Sequence, residues 1–389
     1  MAQEIPLLRV GGSYRAVGRQ IGEACADVLR RATDLEHAGL PRNGRTMDQL
    51  LADAGRCRAI TQEAFPWLLE ELDGAAEGGD VDPDLLFAAS VEELWEERPS
   101  QPGSTEVQTE TRTQGRCTDV LIAPEATTTG HLLVAHNNDL SASSQTDVIA
   151  IERDVPGDPL IFSIGIGPWI SVGWSSAGLS LTGNEVSPTD ERHGVPRLLL
   201  VRAQLRARSL LDAVNLGVHP KRASAYNSVL ADSRGSGVNV EASATDHEIW
   251  LPDRRGAIVH TNHYVSDRMA GYEADQPYAV RSARRLDRAR QLLAEHGSAP
   301  LDQQALMAIL SDHLNGQDAI CRHPAGETGT KTVFWCVADV TDGRIDYGLG
   351  NPCRSRPQSY QFPSWETPAA DDLSLLPFGG LTDGRSRSG

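Results

Sequence analysis

The chain has 389 residues, of which 40% are hydrophobic and 23% are charged, and its formal net charge is -17. The length allows one large domain or two ordinary ones, and the composition is that of a globular protein. The acidic balance argues against nucleic acid and anionic membrane surfaces as partners, because binding to phosphate groups requires local basic charge.

Cysteine usage and the first residues predict the compartment. Six cysteines stand at positions 25, 57, 117, 321, 336 and 353, and none has the C-x-x-C or another metal-ligand spacing. The chain start has neither the basic nor the apolar segment of a secretory signal, and no apolar run is long enough to span a membrane. We therefore expect a cytoplasmic protein with reduced thiols and no metal, and the arginine-rich, lysine-poor composition is typical of a bacterial source.

The first hundred residues predict mainly helices. A short strand from Leu7 precedes a glycine turn, and Ser13 is the expected N-cap of a helix that continues to about Leu29. Further helices are predicted at 47–55, at 60–72 and from Asp82 onward. The polar, aperiodic stretch 98–114 predicts a loop or flexible linker that leads directly to Cys117.

After Cys117 the pattern changes to strands. Strand-like segments continue to about residue 188, return between 223 and 263, and end in a pair over 332–349. Helices are predicted over 195–216, 280–296 and 303–314, and a disordered tail from about 363. Clustered strands flanked by clustered helices favour packed sheets with helical outer layers. The chain lacks the strand–Gly-x-Gly-x-x-Gly–helix pattern of a dinucleotide fold.

Cys117 is the strongest candidate for a catalytic residue. It stands at the first position of a predicted strand, directly after the linker. A thiol is a strong nucleophile near neutral pH, but it needs a base. If the chain were cut before Cys117, the new α-amine, with a pKa of about 8, would be that base. The alternative is an uncut cysteine hydrolase in which His136 or His263 is the base.

Two polar strand ends accompany Cys117. Asn137-Asn138-Asp139 closes the second strand of the hairpin that Cys117 begins, so Asp139 is placed to orient an amine, although such residues are also typical of a plain turn. His260-Thr261-Asn262-His263 ends a later strand, where an asparagine N–H can stabilise an oxyanion. The two histidines of that segment alternate between faces, which disfavours a shared metal.

Four segments occur in the order and spacing of one family: Arg116-Cys117-Thr118, His136-Asn137-Asn138-Asp139, the stretch 172–179 and the stretch 259–263. With them the chain resembles the isopenicillin-N acyltransferase (acyl-coenzyme A:6-aminopenicillanate acyltransferase) family of self-processing N-terminal-nucleophile hydrolases. The Cys-Thr opening and the Asn-x-Asp strand end are also similar to those of choloylglycine hydrolases and acid ceramidases. The resemblance extends from about residue 18 to about Phe362.

This resemblance implies an α+β fold, a four-layer αββα sandwich, and self-cleavage between Arg116 and Cys117. Residues 1–116 would then form the smaller chain of a heterodimer and residues 117–362 the catalytic chain, followed by the tail 363–389. By the family pattern Cys117 is the nucleophile, Asp139 contacts the new amine and Asn262 is the oxyanion donor. Lower-ranked candidates for contacts with the substrate or the oxyanion are Asn184, Asn138, His136, His263 and Lys331.

Two positions depart from the family pattern. Arg116 stands where the family usually has glycine, and the arginine that the family tends to carry before the penultimate strand is missing. Either Lys331 or Thr330 takes its role, or the substrate differs. The expected activity is that of a self-cleaving amidohydrolase or N-acyltransferase in secondary metabolism. Its substrate is a small-molecule amide or acyl thioester, and no cofactor is expected beyond a coenzyme A thioester as co-substrate. A catalytically inactive binding protein on the same fold is the remaining alternative.

Overall fold

The computed structural model describes residues 4–35, 45–95, 116–274, 276–326, 329–368, 371 and 373–375. The strands are β1 (Leu7–Gly11), β2 (Arg116–Ile122), β3 (Leu133–Ser141), β4 (Val148–Asp154), β5 (Ile161–Ile166), β6 (Trp169–Ser175), β7 (Leu179–Asn184), β8 (Asn227–Asp232), β9 (Gly237–Ala242), β10 (His247–Trp250), β11 (Ala257–His260), β12 (Thr330–Asp339), β13 (Arg344–Leu349) and β14 (Gln358–Gln361). The helices are α1 (Tyr14–Ala24), α2 (Ala26–Thr33), α3 (Met47–Ala64), α4 (Pro66–Gly79), α5 (Pro83–Ala89), α6 (Glu92–Trp95), α7 (Arg197–Gln204), α8 (Leu210–Gly217), α9 (Gln276–His296) and α10 (Gln303–Leu310).

Within these ranges the strands form two sheets. Sheet A has eight strands in the order β1-β4-β5-β6-β7-β8-β9-β10, and sheet B has six in the order β11-β2-β3-β12-β13-β14. The N-terminal strand β1 pairs in parallel with β4, so the segment before Cys117 contributes a strand to sheet A. Strand β2, which begins the stretch after the linker, lies inside sheet B between β11 and β3.

The two sheets pack face to face and helices cover both outer faces. Leu121 and Val134 of sheet B share one apolar cluster with Phe162 and Trp174 of sheet A. Helices α1–α5 and α7–α8 pack on the outer face of sheet A, and α9 and α10 pack on the outer face of sheet B. Because both faces of each sheet are buried, the strands carry apolar residues on both sides. The predicted αββα sandwich is confirmed.

Helices α1 and α4 approach each other closely at glycines. A Cβ atom on Gly18 would lie 1.8 Å from the carbonyl oxygen of Glu71, and one on Gly22 would lie 2.1 Å from that of Ala75. Gly74 and Gly78 of α4 meet α1 in the same way. Ser13, the predicted N-cap of α1, accepts the N–H of Ala16. The N-terminal helical layer therefore depends on small residues at one interface.

Several predicted boundaries were wrong. The helix expected over 195–216 is two helices, because Ser209 caps a new helix by accepting the N–H of Asp212. The helix expected to reach residue 314 ends at Leu310, and the strand expected to reach residue 263 ends at His260. The linker 98–114 lies outside the described residues.

The ordered chain also continues past the predicted start of the tail at residue 363. The indole N–H of Trp365 donates to the carbonyl oxygen of Val340 at 2.9 Å, and the N–H of Glu366 donates to that of Ser176 at 2.8 Å. These bonds attach the segment to both sheets. Residues 376–389 lie outside the described residues. None of the helices in the described ranges combines enough length and apolar character to cross a membrane.

The contact between α1 and α4 generates a stability prediction. Gly22→Ala forces a methyl group against the backbone of Ala75, so we expect the free energy of unfolding to fall by about 1–3 kcal/mol. The matched control is Gly55→Ala in α3, where the added Cβ has no neighbour within 4 Å beyond the adjoining backbone of its own helix. That variant should gain about 0.5–1 kcal/mol through helix propensity. Urea unfolding measures both, and equal effects would refute the close helix contact.

Candidate active site

Cys117 is buried at the start of strand β2, with 5% of its surface exposed. It lies opposite Asn138 of β3, and Asp119 lies opposite His136. Side chains alternate along a strand, so Cys117 and Asp119 share the face of Leu121, which packs between the two sheets. The Cys117 sulfur therefore belongs to the interior of the sandwich.

The backbone N–H of Cys117 donates to Oδ1 of Asn262 at 2.5 Å. The same oxygen accepts from Nη2 of Arg285 at 2.8 Å, and Nδ2 of Asn262 donates to the carbonyl oxygen of Glu185 at 3.1 Å. A flipped amide would bring donor against donor and acceptor against acceptor, so these neighbours fix the orientation of Asn262. In the uncut chain the side-chain oxygen of Asn262 faces Cys117 and accepts its N–H. An oxyanion donor would instead point its own N–H group towards the reacting atoms.

Arg285 is the site residue that sequence reasoning missed. It lies in α9, is 1% exposed, and its Nε and Nη1 have no hydrogen-bond partner among the described residues. Helix α9 carries many arginines, so composition alone does not distinguish this one. The available signal is position: Arg285 falls on the helical stripe of Ser282, Ala289 and Leu293, which packs against sheet B. A guanidinium in an apolar stripe is costly unless it has a function or a partner.

A line of buried side chains leads from the Cys117 sulfur along the inner face of sheet B. Nδ2 of Asn138 lies 3.7 Å from the sulfur and 3.4 Å from Nε2 of His136, whose Nδ1 lies 3.0 Å from Oδ1 of Asp119. A carboxylate only accepts, so Nδ1 of His136 carries the proton and Nε2 accepts from Asn138. His136 reaches Cys117 through Asn138 and not directly. Asp119 was not among the predicted site residues.

Asp139 lies on the opposite face of β3 and is held by a β-bulge. It pairs with Arg116 on one side and with Thr332 on the other, while Asn138 pairs with Phe334, so Val333 is the extra residue. Oγ1 of Thr332 donates to Oδ1 of Asp139 at 2.7 Å. Bulges re-aim side chains and are common beside active sites. This one directs a hydroxyl to the buried carboxylate next to the start of β2.

The environment keeps the thiol of the uncut chain neutral. Burial raises the pKa of the Cys117 thiol well above its ordinary value. The carboxylates of Asp119, Asp139 and Glu185 raise this pKa further, while the Arg285 guanidinium lowers it. Because the thiolate is the nucleophilic form, the intact chain holds Cys117 in a weakly reactive state.

His263 is not suited to be a base. Its Nδ1 lies 2.9 Å from Oγ of Ser282, the same hydroxyl that accepts the N–H of Asn262 at 2.7 Å. Burial, together with the charges of His260 and Arg285, lowers the pKa of His263 to about 3. A histidine with this pKa is neutral and weakly basic at pH 7. Its contacts support the position of Asn262.

Two other predicted residues make contacts elsewhere. Asn184 is buried and its Oδ1 lies 2.9 Å from Nδ1 of His260, whose Nε2 lies 2.8 Å from Oε1 of Glu241. Lys331 donates to Oε1 of Gln145 at 2.5 Å, and burial lowers the pKa of its ammonium group. The guanidinium beside Asn262 comes from Arg285. A role for Lys331 in place of the family arginine stays a prediction.

Polar side chains of β7 lie in the interface between the two sheets. Trp174 packs between the sheets and pairs with Ser180, and alternation places Thr182 and Asn184 on that same inner face. The buried polar atoms without a hydrogen-bond partner among the described residues include Asn138 Oδ1, Trp174 Nε1, Ser180 Oγ, Thr182 Oγ1 and Asn184 Nδ2. Buried polar atoms are normally paired, so this group of atoms is unusual for the interior between two sheets.

The sequence profile of the family described as acyl-coenzyme A:6-aminopenicillanic acid acyl-transferase matches residues 126–354, which is more than half of the chain. The chain belongs to this family. The match begins after β2, so the roles of Arg116 and Cys117 remain predictions. No curated protein sequence matches the chain significantly.

Solved structures similar to this acyl-transferase family member include three hydrolases. A mutant conjugated bile acid hydrolase from Clostridium perfringens is 12% identical, with 64% of this chain and 98% of that chain covered and a TM-score of 0.43. An ortholog of N-acylethanolamine-hydrolyzing acid amidase from Caenorhabditis elegans is 15% identical, with 64% of this chain and 100% of that chain covered and a TM-score of 0.41. Penicillin V acylase from Agrobacterium tumefaciens is 14% identical, with 62% of this chain and 84% of that chain covered and a TM-score of 0.41.

The lowered pKa of His263 predicts an acid-dependent loss of stability. The folded pKa is about 3 and the unfolded value is about 6.5, so unfolded chains bind more protons between these values. The stabilisation is complete above pH 6.5 and is lost as the pH falls towards 3. Between pH 7 and pH 5 the free energy of unfolding should drop by about 2 kcal/mol more in the parent protein than in His263→Gln.

Urea unfolding at the two pH values measures this difference. His296→Gln, at the exposed end of α9, is the control and should keep the parent slope. An unchanged slope in His263→Gln would contradict the assignment of a depressed pKa to this residue.

Proposed function

We propose that the chain cuts itself between Arg116 and Cys117, and that the freed Cys117 then transfers the acyl group of a small-molecule amide or acyl thioester to water or to an amine. The observation that carries the proposal is the buried hydrogen bond from the Cys117 N–H to Asn262, at the start of an interior strand. The peptide nitrogen that would become the catalytic amine is already held by an acceptor. Membership of an acyl-transferase family supports the reaction class.

The self-cleavage step is an N-to-S acyl shift. The Cys117 sulfur adds to the carbonyl carbon of residue 116, and its proton passes to the Cys117 nitrogen as the C–N bond breaks. A thioester and a free amine result. Water then hydrolyses the thioester, which leaves a carboxylate on residue 116 and a thiol on Cys117. Asn262 Oδ1 remains an acceptor for the nitrogen throughout, because an amine also carries N–H donors.

Cleavage supplies the Cys117 thiol with an adjacent base and makes it a stronger nucleophile. The new α-amine has an ordinary pKa of about 8, and the acceptor Asn262 and the carboxylate of Asp139 favour its protonated form. A positive charge beside the sulfur lowers the pKa of the thiol, which opposes the effect of burial in the uncut chain. The amine takes the thiol proton and returns it to the leaving group of the substrate.

The remaining residues supply electrostatic support. Arg285 has two buried N–H-bearing nitrogens without a partner among the described residues, beside the amide of Asn262. Such donors are suited to the oxyanion of a tetrahedral intermediate or to an anionic group of the substrate. The polar side chains of β7 in the interface between the two sheets are suited to the acyl or amine part of a small substrate. In this proposal the acyl donor is an amide or a coenzyme A thioester.

An uncut cysteine hydrolase is the second candidate. The buried His136–Asp119 pair favours it, because a carboxylate fixes the tautomer of a histidine base. The position of Asn138 between His136 and the sulfur counts against direct proton transfer. This candidate predicts full activity from a single uncut chain.

Replacement of Cys117 tests the proposal. Cys117→Ala should remain one chain of 42.0 kDa and should show no turnover of a panel of acyl amides and acyl thioesters, because the attacking sulfur is absent. Cys57→Ala, a buried cysteine in helix α3, should cut itself and turn over substrate as the parent does. A denaturing gel and the substrate panel measure both properties. Cleavage or turnover by Cys117→Ala would overturn the proposal.

Replacement of Arg285 tests its support of Asn262. Arg285→Met keeps the length of the side chain but removes the charge that lowers the pKa of Cys117 and the donor to Asn262. Loss of one charge-assisted hydrogen bond of about 1.5–3 kcal/mol predicts self-cleavage slower by roughly 10- to 100-fold. Arg290→Met, exposed on the same helix, is the control. Equal cleavage rates in the two variants would remove Arg285 from the site.

A further inference from the structure

Two cysteines and two histidines meet at one end of sheet B. His313 follows helix α10, Cys321 and His323 lie in the segment before strand β12, and Cys353 follows strand β13. Their side-chain ligand atoms all lie within 4.8 Å of one another. Three stretches of chain that are distant in sequence therefore converge on one point. The sequence predicted no metal site, because no local spacing joins these residues.

Four of the six distances between the ligand atoms are close to the edges of a tetrahedron around a zinc ion. Nε2 of His313 lies 3.2 Å from Nε2 of His323, and Sγ of Cys321 lies 3.6 Å from Sγ of Cys353. Nε2 of His323 lies 3.8 Å from the first sulfur and 3.4 Å from the second. With Zn–N and Zn–S bonds of about 2.0 and 2.3 Å, ideal edges are ~3.4 Å between nitrogens, ~3.8 Å between sulfurs and ~3.6 Å for mixed pairs.

We propose that His313, Cys321, His323 and Cys353 form a structural zinc site. Four protein ligands of the Cys₂His₂ type close the coordination sphere, which is characteristic of structural and not of catalytic zinc. A tetrahedral pair of sulfurs and nitrogens favours zinc over the hard cations magnesium and calcium. His313 and Cys353 are exposed, so the metal has a path of entry from solvent.

Neighbouring groups hold the ligands as a metal site requires. Nδ2 of Asn351 lies 3.5 Å from the Cys321 sulfur and donates to the carbonyl oxygen of Arg322 at 2.7 Å. The N–H of Cys321 donates to the carbonyl oxygen of Asp312 at 2.9 Å. Hydrogen bonds from amides to ligand sulfurs and to the backbone between ligands orient such sites.

The same segment is connected to the candidate active site. The N–H of Arg322, between two of the ligands, donates to Oγ1 of Thr332 at 3.0 Å, and that hydroxyl donates to Asp139. The backbone N–H of Thr332 donates to the carbonyl oxygen of Arg322 at 3.0 Å. A metal that fixes this segment therefore also fixes the hydroxyl that positions Asp139. The site itself needs neither cleavage nor a reactive Cys117.

Metal analysis tests the proposal. The full-length protein, purified without chelator and incubated with Zn²⁺ before desalting, should retain about one zinc per chain by inductively coupled plasma mass spectrometry. The Cys321→Ser/Cys353→Ser double variant should lose it, whereas the matched Cys25→Ser/Cys57→Ser variant should keep it. Absence of zinc from the parent protein, or full retention by the first double variant, would overturn the proposal.

A second measurement covers the case in which the double variant fails to fold. The parent protein, stripped by a chelator and titrated with Co²⁺, should show the intense d–d bands of a tetrahedral site and a thiolate-to-cobalt charge-transfer band. Added Zn²⁺ should abolish both and raise the Tm, since a ligand of the folded state stabilises it. The absence of these bands, or a Cys321–Cys353 disulfide in the freshly purified protein by mass spectrometry, would overturn the proposal.

Discussion

The candidate site depends on one buried hydrogen bond, from the backbone N–H of Cys117 to the side-chain oxygen of Asn262. On an edge strand of sheet B this N–H could bond to solvent. Strand β2 lies inside the sheet, so its first residues need hydrogen-bond partners within the protein. Asn262 provides one because Arg285 and the backbone of Glu185 fix its amide from two sides. The position of the nitrogen is therefore determined before any cleavage, and the proposed chemistry follows from that position.

The two faces of sheet B carry different polar side chains near the Cys117 nitrogen. The inner face carries the Cys117 sulfur, Asn138 and the buried His136–Asp119 pair, which orient donors towards the sulfur. The outer face carries Asp139, which Thr332 holds through the bulge in β12. In the uncut chain burial, together with the carboxylates of Asp119, Asp139 and Glu185, raises the pKa of the Cys117 thiol and keeps it protonated. A catalyst that stays inactive until cut would need such an arrangement, because a reactive thiol in the uncut chain is open to oxidation.

The sequence was sufficient for the layers of the fold and for part of the site. Strand alternation and the family segments predicted the sandwich. They also predicted that Cys117, Asn138 and Asn262 lie in one site, because register and alternation are local properties of the sequence. Arg285 was missed because its partner is 23 residues away on another element and its helix is rich in arginines. The Cys₂His₂ cluster was missed because only the packing of loops at the end of sheet B brings its ligands together. The helix boundary before Leu210 was missed because Ser209 was not recognised as an N-cap.

The most direct test of the central claim is the intact mass and N-terminal sequence of the purified wild-type protein. The account predicts two polypeptides, residues 1–116 and 117–389, with a new terminus that reads Cys117-Thr118-Asp119. Acid quenching during turnover should add the mass of one acyl group to the second polypeptide, at Cys117. A single active chain of 42.0 kDa, or an acyl group on another residue, would contradict the account.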